Sequence, residues 1–184
     1  TLVNIIRTRN MNDERKRAAP KWQRVIKTVD WVSTQLPISS QYQLWRFNDS
    51  TESLVDDELG QWQEVADRDG LNAGVEALKD VVPDRGTNLE QVFAEVAAMA
   101  TRPDNIFLIT DGLPTLGSRG KRTGLVTPKD RLDRFEDALE TLPENIPVNI
   151  VLLPLEGDPS ASAAYWQLAQ FSRGSFITPS KDWP

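Results

Sequence analysis

The chain has 184 residues, with 21 basic against 27 acidic side chains, and neither cysteine nor histidine. Those two absences remove disulfides, thiolate nucleophiles, Fe–S clusters, cysteine zinc sites, Ser-His-Asp triads and histidine-bound metals. A metal would have to be held by oxygen atoms, which points to Mg²⁺, Mn²⁺ or Ca²⁺, and a net charge of −6 speaks against a nucleic-acid-binding face.

The length suits a single domain spanning residues 1–184. Twelve prolines and ten glycines divide the chain into short elements. The strongly apolar stretch at Ile150–Leu155 is far short of the ~20 residues of a membrane span, and no signal-peptide pattern opens the chain. A cysteine-free protein suits cytoplasm and periplasm alike, and any anchor would lie outside this sequence.

In chain order, Trp22, Val25, Ile26, Val29, Val32 and Leu36 form one helical stripe between Pro20 and Pro37. Tyr42–Phe47 alternates as a strand and turns at Asn48-Asp49-Ser50, with a short edge strand expected at Ser53–Val55. A polar helical stretch is expected over Gln61–Ala66, broken at Asp69-Gly70 and followed by a helix carrying Leu71, Val75, Leu78 and Val82. Thr87 opens the next helix, with Leu89, Val92, Phe93 and Val96 inward. Ile106–Thr110 is a continuous apolar run, the pattern of a parallel strand covered on both faces. After a loop at Leu113–Thr127 come a helix marked by Leu132, Phe135, Leu139 and Leu142 and a strand at Val148–Leu153. A last helix carries Ala161, Tyr165, Leu168 and Phe171 and stops at Gly174, before a final strand at Ser175–Thr178. This alternation predicts an α/β fold: a mostly parallel open sheet with helices on both faces.

Ligands of such sheets sit at the carboxyl ends of the strands. Asp111 follows the Ile106–Thr110 strand, and Thr87 follows Asp84-Arg85-Gly86. A carboxylate and a hydroxyl are hard oxygen donors that suit Mg²⁺. Each also has a plain structural reading. Thr87 with Glu90 matches a capping box, and Asp111-Gly112 matches a strand-end turn.

Arg85-Gly86-Thr87-Asn88-Leu89 before an amphipathic helix, with Ile106–Thr110 and Asp111-Gly112-Leu113-Pro114 about twenty residues later, resembles a von Willebrand factor A (VWA) domain. The resemblance covers the chain from the helix after Pro20 to the strand at Val148. It implies a Rossmann-like fold and a metal-ion-dependent adhesion site to which Thr87 and Asp111 contribute ligands. It also implies that a protein partner binds there through an acidic side chain, over Gly86, Thr87, Asp111 and Gly112. The family's D-x-S-x-S ligands at the end of its first strand are absent. Either Ile6, Thr8 and Asn10 occupy those positions in degenerate form, or the first strand lies upstream of Thr1, and the apolar set Leu2, Val3, Ile5 and Ile6 fits both. The family's closing helix also has no room after Ser180. Mg²⁺ binding by this chain is therefore expected to be weak or absent.

Leu116–Thr123 fails the Walker pattern, because Arg122 follows Lys121 where Ser or Thr is required. Arg119, Lys121 and Arg122 read as a solvated basic loop, and Asp56-Asp57-Glu58 as a solvated acidic face. Trp22 and Trp166 fit core stripes. Short loops and the lack of cysteine look more bacterial than extracellular animal. The expected function is a non-catalytic protein-interaction domain. The alternative is a Mg²⁺-dependent hydrolase or phosphotransfer enzyme on the same sheet, which would need an acid/base or nucleophile beside Asp111.

Overall fold

Two apolar runs, β5 (Ile106–Thr110) and β6 (Val148–Leu152), pair in parallel from Ile106↔Val148 to Thr110↔Leu152. A short strand, β7 (Phe176–Ile177), adds to β6 in parallel and gives a three-stranded sheet in the order β5-β6-β7. The computed structural model describes residues 11–55, 59–118, 126–153, 158–180 and 183. The chain gathers into two units. One comprises Thr1–Arg46, Glu52–Asp84 and Ser180–Pro184, the other Phe47–Thr51 and Arg85–Pro179.

The second unit is a mixed α/β structure built on the parallel sheet. Helices α4 (Leu89–Ala98), α5 (Pro128–Thr141) and α6 (Ala161–Ser172) supply Leu89, Phe93, Phe135, Ala138, Ala164, Tyr165 and Leu168 to one core with Leu108, Val148, Ile150 and Leu152. Phe135 meets Tyr165 edge-on with ring centroids 5.1 Å apart. Four of the five β6 residues are buried, as expected of a strand covered on both faces. β5 departs from that expectation, because Phe107 is 48% exposed.

Local chemistry sets the helix ends. Thr127 and Asp130 form a reciprocal capping box before α5, with Pro128 in its first turn. At the end of α6 the left-handed position is taken by Arg173 (φ 63°), and the Gly174 amide donates to the Ala169 carbonyl. A Cβ on Gly174 would collide with the Val148 carbonyl, so close approach to β6 explains the glycine. Two residues placed in the core by periodicity are outside it. Trp166 is 52% exposed and Phe171 93%. Ala161, Ala164 and Ala169 take the inward positions around Tyr165 and Leu168, and these small side chains permit close packing.

The first unit holds α1 (Asp13–Arg17), α2 (Pro20–Gln35) and α3 (Arg68–Ala77). It also holds β1 (Gln41–Tyr42), antiparallel to β4 (Gln63–Glu64). Its small core is Tyr42, Val65 and Leu71, flanked by Leu36, Leu44 and Val55. Three expectations are corrected in this part of the chain. The Tyr42–Phe47 strand is split, because the Gln43 carboxamide accepts from Trp45 Nε1 and from the Gly60 amide, and β2 (Trp45–Phe47) pairs instead with β3 (Thr51–Ser53). The stretch Gln61–Ala66 contains the strand β4 rather than a helix. Asp69-Gly70 does not break α3, since Asp67 caps the helix by accepting from the Gly70 amide.

One core feature carries a cost. Arg134 on α5 is 6% exposed, and among the described residues its Nε and Nη1 have no hydrogen-bond partner. Arg134→Met is expected to raise stability by about 1–3 kcal/mol by removing the unpaired donors. Phe93→Ala should lose roughly 3–5 kcal/mol, whereas Phe171→Ala should change stability by less than about 0.5 kcal/mol. Urea unfolding of the three variants checks the ranking, and an equal loss at Phe93 and Phe171 would refute this account of the core.

Candidate functional site

β5 ends at Thr110, and the next residue, Asp111, is partly exposed while Gly112, Leu113 and Pro114 are buried. Side chains from elsewhere hold the backbone of this turn. The Tyr165 hydroxyl donates to the Gly112 carbonyl at 3.0 Å, and the Thr110 hydroxyl donates to the same oxygen at 3.3 Å. The Leu113 amide donates to Asp158 Oδ2 at 2.7 Å. Arg131 donates to the Leu113 carbonyl from Nη2 at 2.6 Å and from Nε at 3.1 Å. Arg131 Nη2 also lies 3.0 Å from Asp158 Oδ2, and the Asp158 side chain is 1% exposed. Gly112 lies against this pair: a Cβ there would stand 2.8 Å from Asp158 Oδ2 and 2.9 Å from Arg131 Nη2, so the ends of both side chains would have to shift.

Thr87 is reached through a second set of bonds. Arg85 is left-handed (φ 70°) and its guanidinium pairs with Asp49 at 3.0 Å. Gly86 has no room for a side chain, because a Cβ would meet Leu116 Cγ and Thr115 Oγ1 at 2.7 Å. The Thr87 amide donates to Thr115 Oγ1, and the Thr87 carbonyl accepts from the Thr115 and Leu116 amides. The Asn88 amide donates to the Asn48 carbonyl at 2.8 Å, tying in the Asn48–Ser50 turn.

The capping-box reading of Thr87 is corrected by this geometry. Asn88 is the N-cap of α4 and accepts from the Gln91 amide, while Glu90 accepts from the Ser118 amide. A rival cap stood one residue on from Thr87, and the two cannot both cap one helix. Thr87 thus lies in the segment that precedes α4. Its three main-chain bonds run to Thr115 and Leu116, which ties the segment before α4 to the loop that follows Asp111 and Gly112.

Among the described residues, no three acidic, histidine or cysteine side chains stand together as a metal site. One carboxylate and one hydroxyl, Asp111 and Thr87, are a donor set that does not fit a tightly held divalent ion, which takes six or more oxygens. Ile6, Thr8 and Asn10, the acidic run Asp56–Glu58, and Arg119, Lys121 and Arg122 lie outside the described residues. Asp49 faces Arg85. Sequence reasoning missed Thr115, Arg131, Asp158 and Tyr165 as site residues. Arg131 gave one faint signal: it stands one turn before Phe135 on the inward stripe of α5, where a charge is unexpected.

No protein-family model matches the chain. No curated protein matches it by sequence. Among solved structures it is similar to a von Willebrand factor type A protein from Catenulispora acidiphila, with a TM-score of 0.59 and 15% identity over 89% of this chain. The chain spans 35% of that structure. The likeness shows a VWA-like fold.

Burial pushes the Tyr165 phenol well above its ordinary range; the Thr110 hydrogen bond and Arg131 oppose the shift, and the charges of Asp111 and Asp158 add to it. The folded protein therefore keeps the Tyr165 proton at pH values where the unfolded chain has lost it. This contribution is full below the unfolded value near 10 and is lost as pH rises above it, at up to about 1.4 kcal/mol per pH unit. Tyr165→Phe is expected to flatten the alkaline limb of the stability curve, and an unchanged limb would contradict the burial of this hydroxyl.

Proposed function

We propose that the chain is a non-catalytic protein-interaction domain whose partner binds the strand-end loop cluster around Gly86, Thr87, Asp111 and Gly112. The observation that supports this reading is the bonding of Thr87 to Thr115 and Leu116, in the loop that follows Asp111, on a VWA-like fold. Such a surface meets a partner with little loss of loop entropy, which favours affinity. A catalytic reading is less well supported. The polar groups nearest the Asp111 turn among the described residues, Tyr165, Asp158 and Arg131, are largely buried and spend their hydrogen bonds on the backbone. A hydrolase would need an accessible base or nucleophile there.

The VWA resemblance implies a partner's acidic side chain meeting a divalent ion at such a face. The described donors hold an ion weakly at best. The proposed contact therefore rests on the loop surface and its hydrogen-bonding groups, with Asp111 as the charged member.

Titration calorimetry of Mg²⁺ and Mn²⁺ is expected to give a Kd of about 1 mM or weaker. Micromolar binding would mean that ligands outside the described residues complete a shell. The direct test immobilises the chain and compares what it retains from extracts of its own cells. Asp111→Ala and Thr87→Ala should each lose at least about 1.4 kcal/mol of binding, a tenfold drop, while Phe171→Ala retains the partner. Equal retention by all three variants would remove the strand-end face from consideration.

A further inference from the structure

The Gly112–Leu113 turn is held with more polar groups than a stable turn needs. Both peptide groups of Leu113 are gripped: in the one before it, Asp158 accepts from the Leu113 N–H while Tyr165 and Thr110 donate to the Gly112 carbonyl, and in the one after it Arg131 donates to the Leu113 carbonyl. Three of these four side chains come from outside β5: Arg131 from α5, Tyr165 from α6, and Asp158 from the residues preceding α6. A buried ion pair is a weak source of stability, because desolvation offsets most of its attraction and apolar replacements often do as well. Here Asp158 Oδ1 even lacks a hydrogen-bond partner among the described residues. What the pair does supply is direction. Arg131 uses two donors of its planar fork on one carbonyl, and Asp158 uses one oxygen for both the Leu113 amide and that fork, so neither peptide of the turn can rotate without breaking charge-assisted bonds.

We propose that Asp158 and Arg131, with Tyr165, are positioning residues that set the conformation in which Asp111 is presented at the strand-end face. The functional half of this inference rests on the reading of that face as the partner-binding surface; the structural half does not. Asp158 is buried, so its effect on binding must pass through the turn. Gly112 is the point of transmission, because it alone separates Asp111 from the gripped peptides and its missing Cβ admits the carboxylate and the guanidinium.

Amide hydrogen exchange followed by NMR tests the structural half on the full chain with Asp158→Asn, Arg131→Met and Tyr165→Phe. Asp158→Asn keeps an acceptor for the Leu113 amide while deleting the charge. The expected result is exchange at the Leu113 amide at least tenfold faster in Asp158→Asn and Arg131→Met, with Ile150 and Val151 at wild-type rates. Tyr165→Phe, which deletes a single hydroxyl, should show a smaller change confined to the same turn, and it serves if the charge variants fail to fold. Exchange that is unchanged at the turn, or that rises equally in β6, would overturn the positioning role in favour of a merely stabilising one. The functional half is tested by partner retention, expected to fall at least tenfold in Asp158→Asn. Wild-type retention by a variant with a loosened turn would overturn it. If instead Asp111→Ala retains the partner, the reading of the face fails, and the exchange data still decide whether the turn is held from behind.

Discussion

A carboxylate with 1% exposure, opposite a guanidinium at 3.0 Å, is the constraint on which the rest of the strand-end geometry depends. Such a pair is costly to place in a protein interior and costly to break. It stands where β5 stops, where the ladder of Ile106–Thr110 can no longer hold the backbone and the chain must leave the sheet. At Gly112 and Leu113, side chains take over the role that the neighbouring strand had played. Anchoring of the backbone therefore reaches Leu113, three residues beyond the last ladder position, through Tyr165, Asp158 and Arg131 in place of β6.

The fold was legible in the sequence wherever burial follows a simple period. The runs at Ile106–Thr110 and Val148–Leu152, the α2 stripe closed by Pro37 and the inward face of α4 all stand where periodicity puts them. Periodicity failed where packing reversed a local preference. Phe171 lies near the position a continued helical stripe would reach, yet α6 packs through its alanines and leaves that ring in water. The two-residue strands β1 and β4 have no period at all; they exist because Gln41–Tyr42 finds Gln63–Glu64 across an intervening segment that itself holds β2 and β3, information no window of sequence contains.

The site divides in the same way. Thr87 and Asp111 were visible because each follows a recognisable local pattern. Their supports were invisible because each is an ordinary residue until the fold delivers it. Asp158 before Pro159 reads as a turn, and Tyr165 reads as one more core aromatic. Gly112 read as part of a strand-end turn, but it and Gly86 both lie against neighbours distant in sequence, Asp158 and Arg131 in one case and Thr115 with Leu116 in the other. The choice between Thr87 and Asn88 as helix cap illustrates the limit. Both residue types cap well, and the three main-chain bonds that hold Thr87 to Thr115 and Leu116 leave the cap to Asn88.

Gly174 gives α6 a fixed zero mark. Its bare Cα rests against the Val148 carbonyl at the start of β6, and Tyr165 stands nine residues earlier, or about 13 Å along a helical rise. The helix thus measures a set distance from the bottom of the sheet to the turn at its top. A residue inserted or deleted in α6 would change that length by about 1.5 Å and rotate the phenol away by about 100°. Length variation in the segments around this helix should therefore be absorbed before Asp158 or after Gly174, leaving the span between them constant.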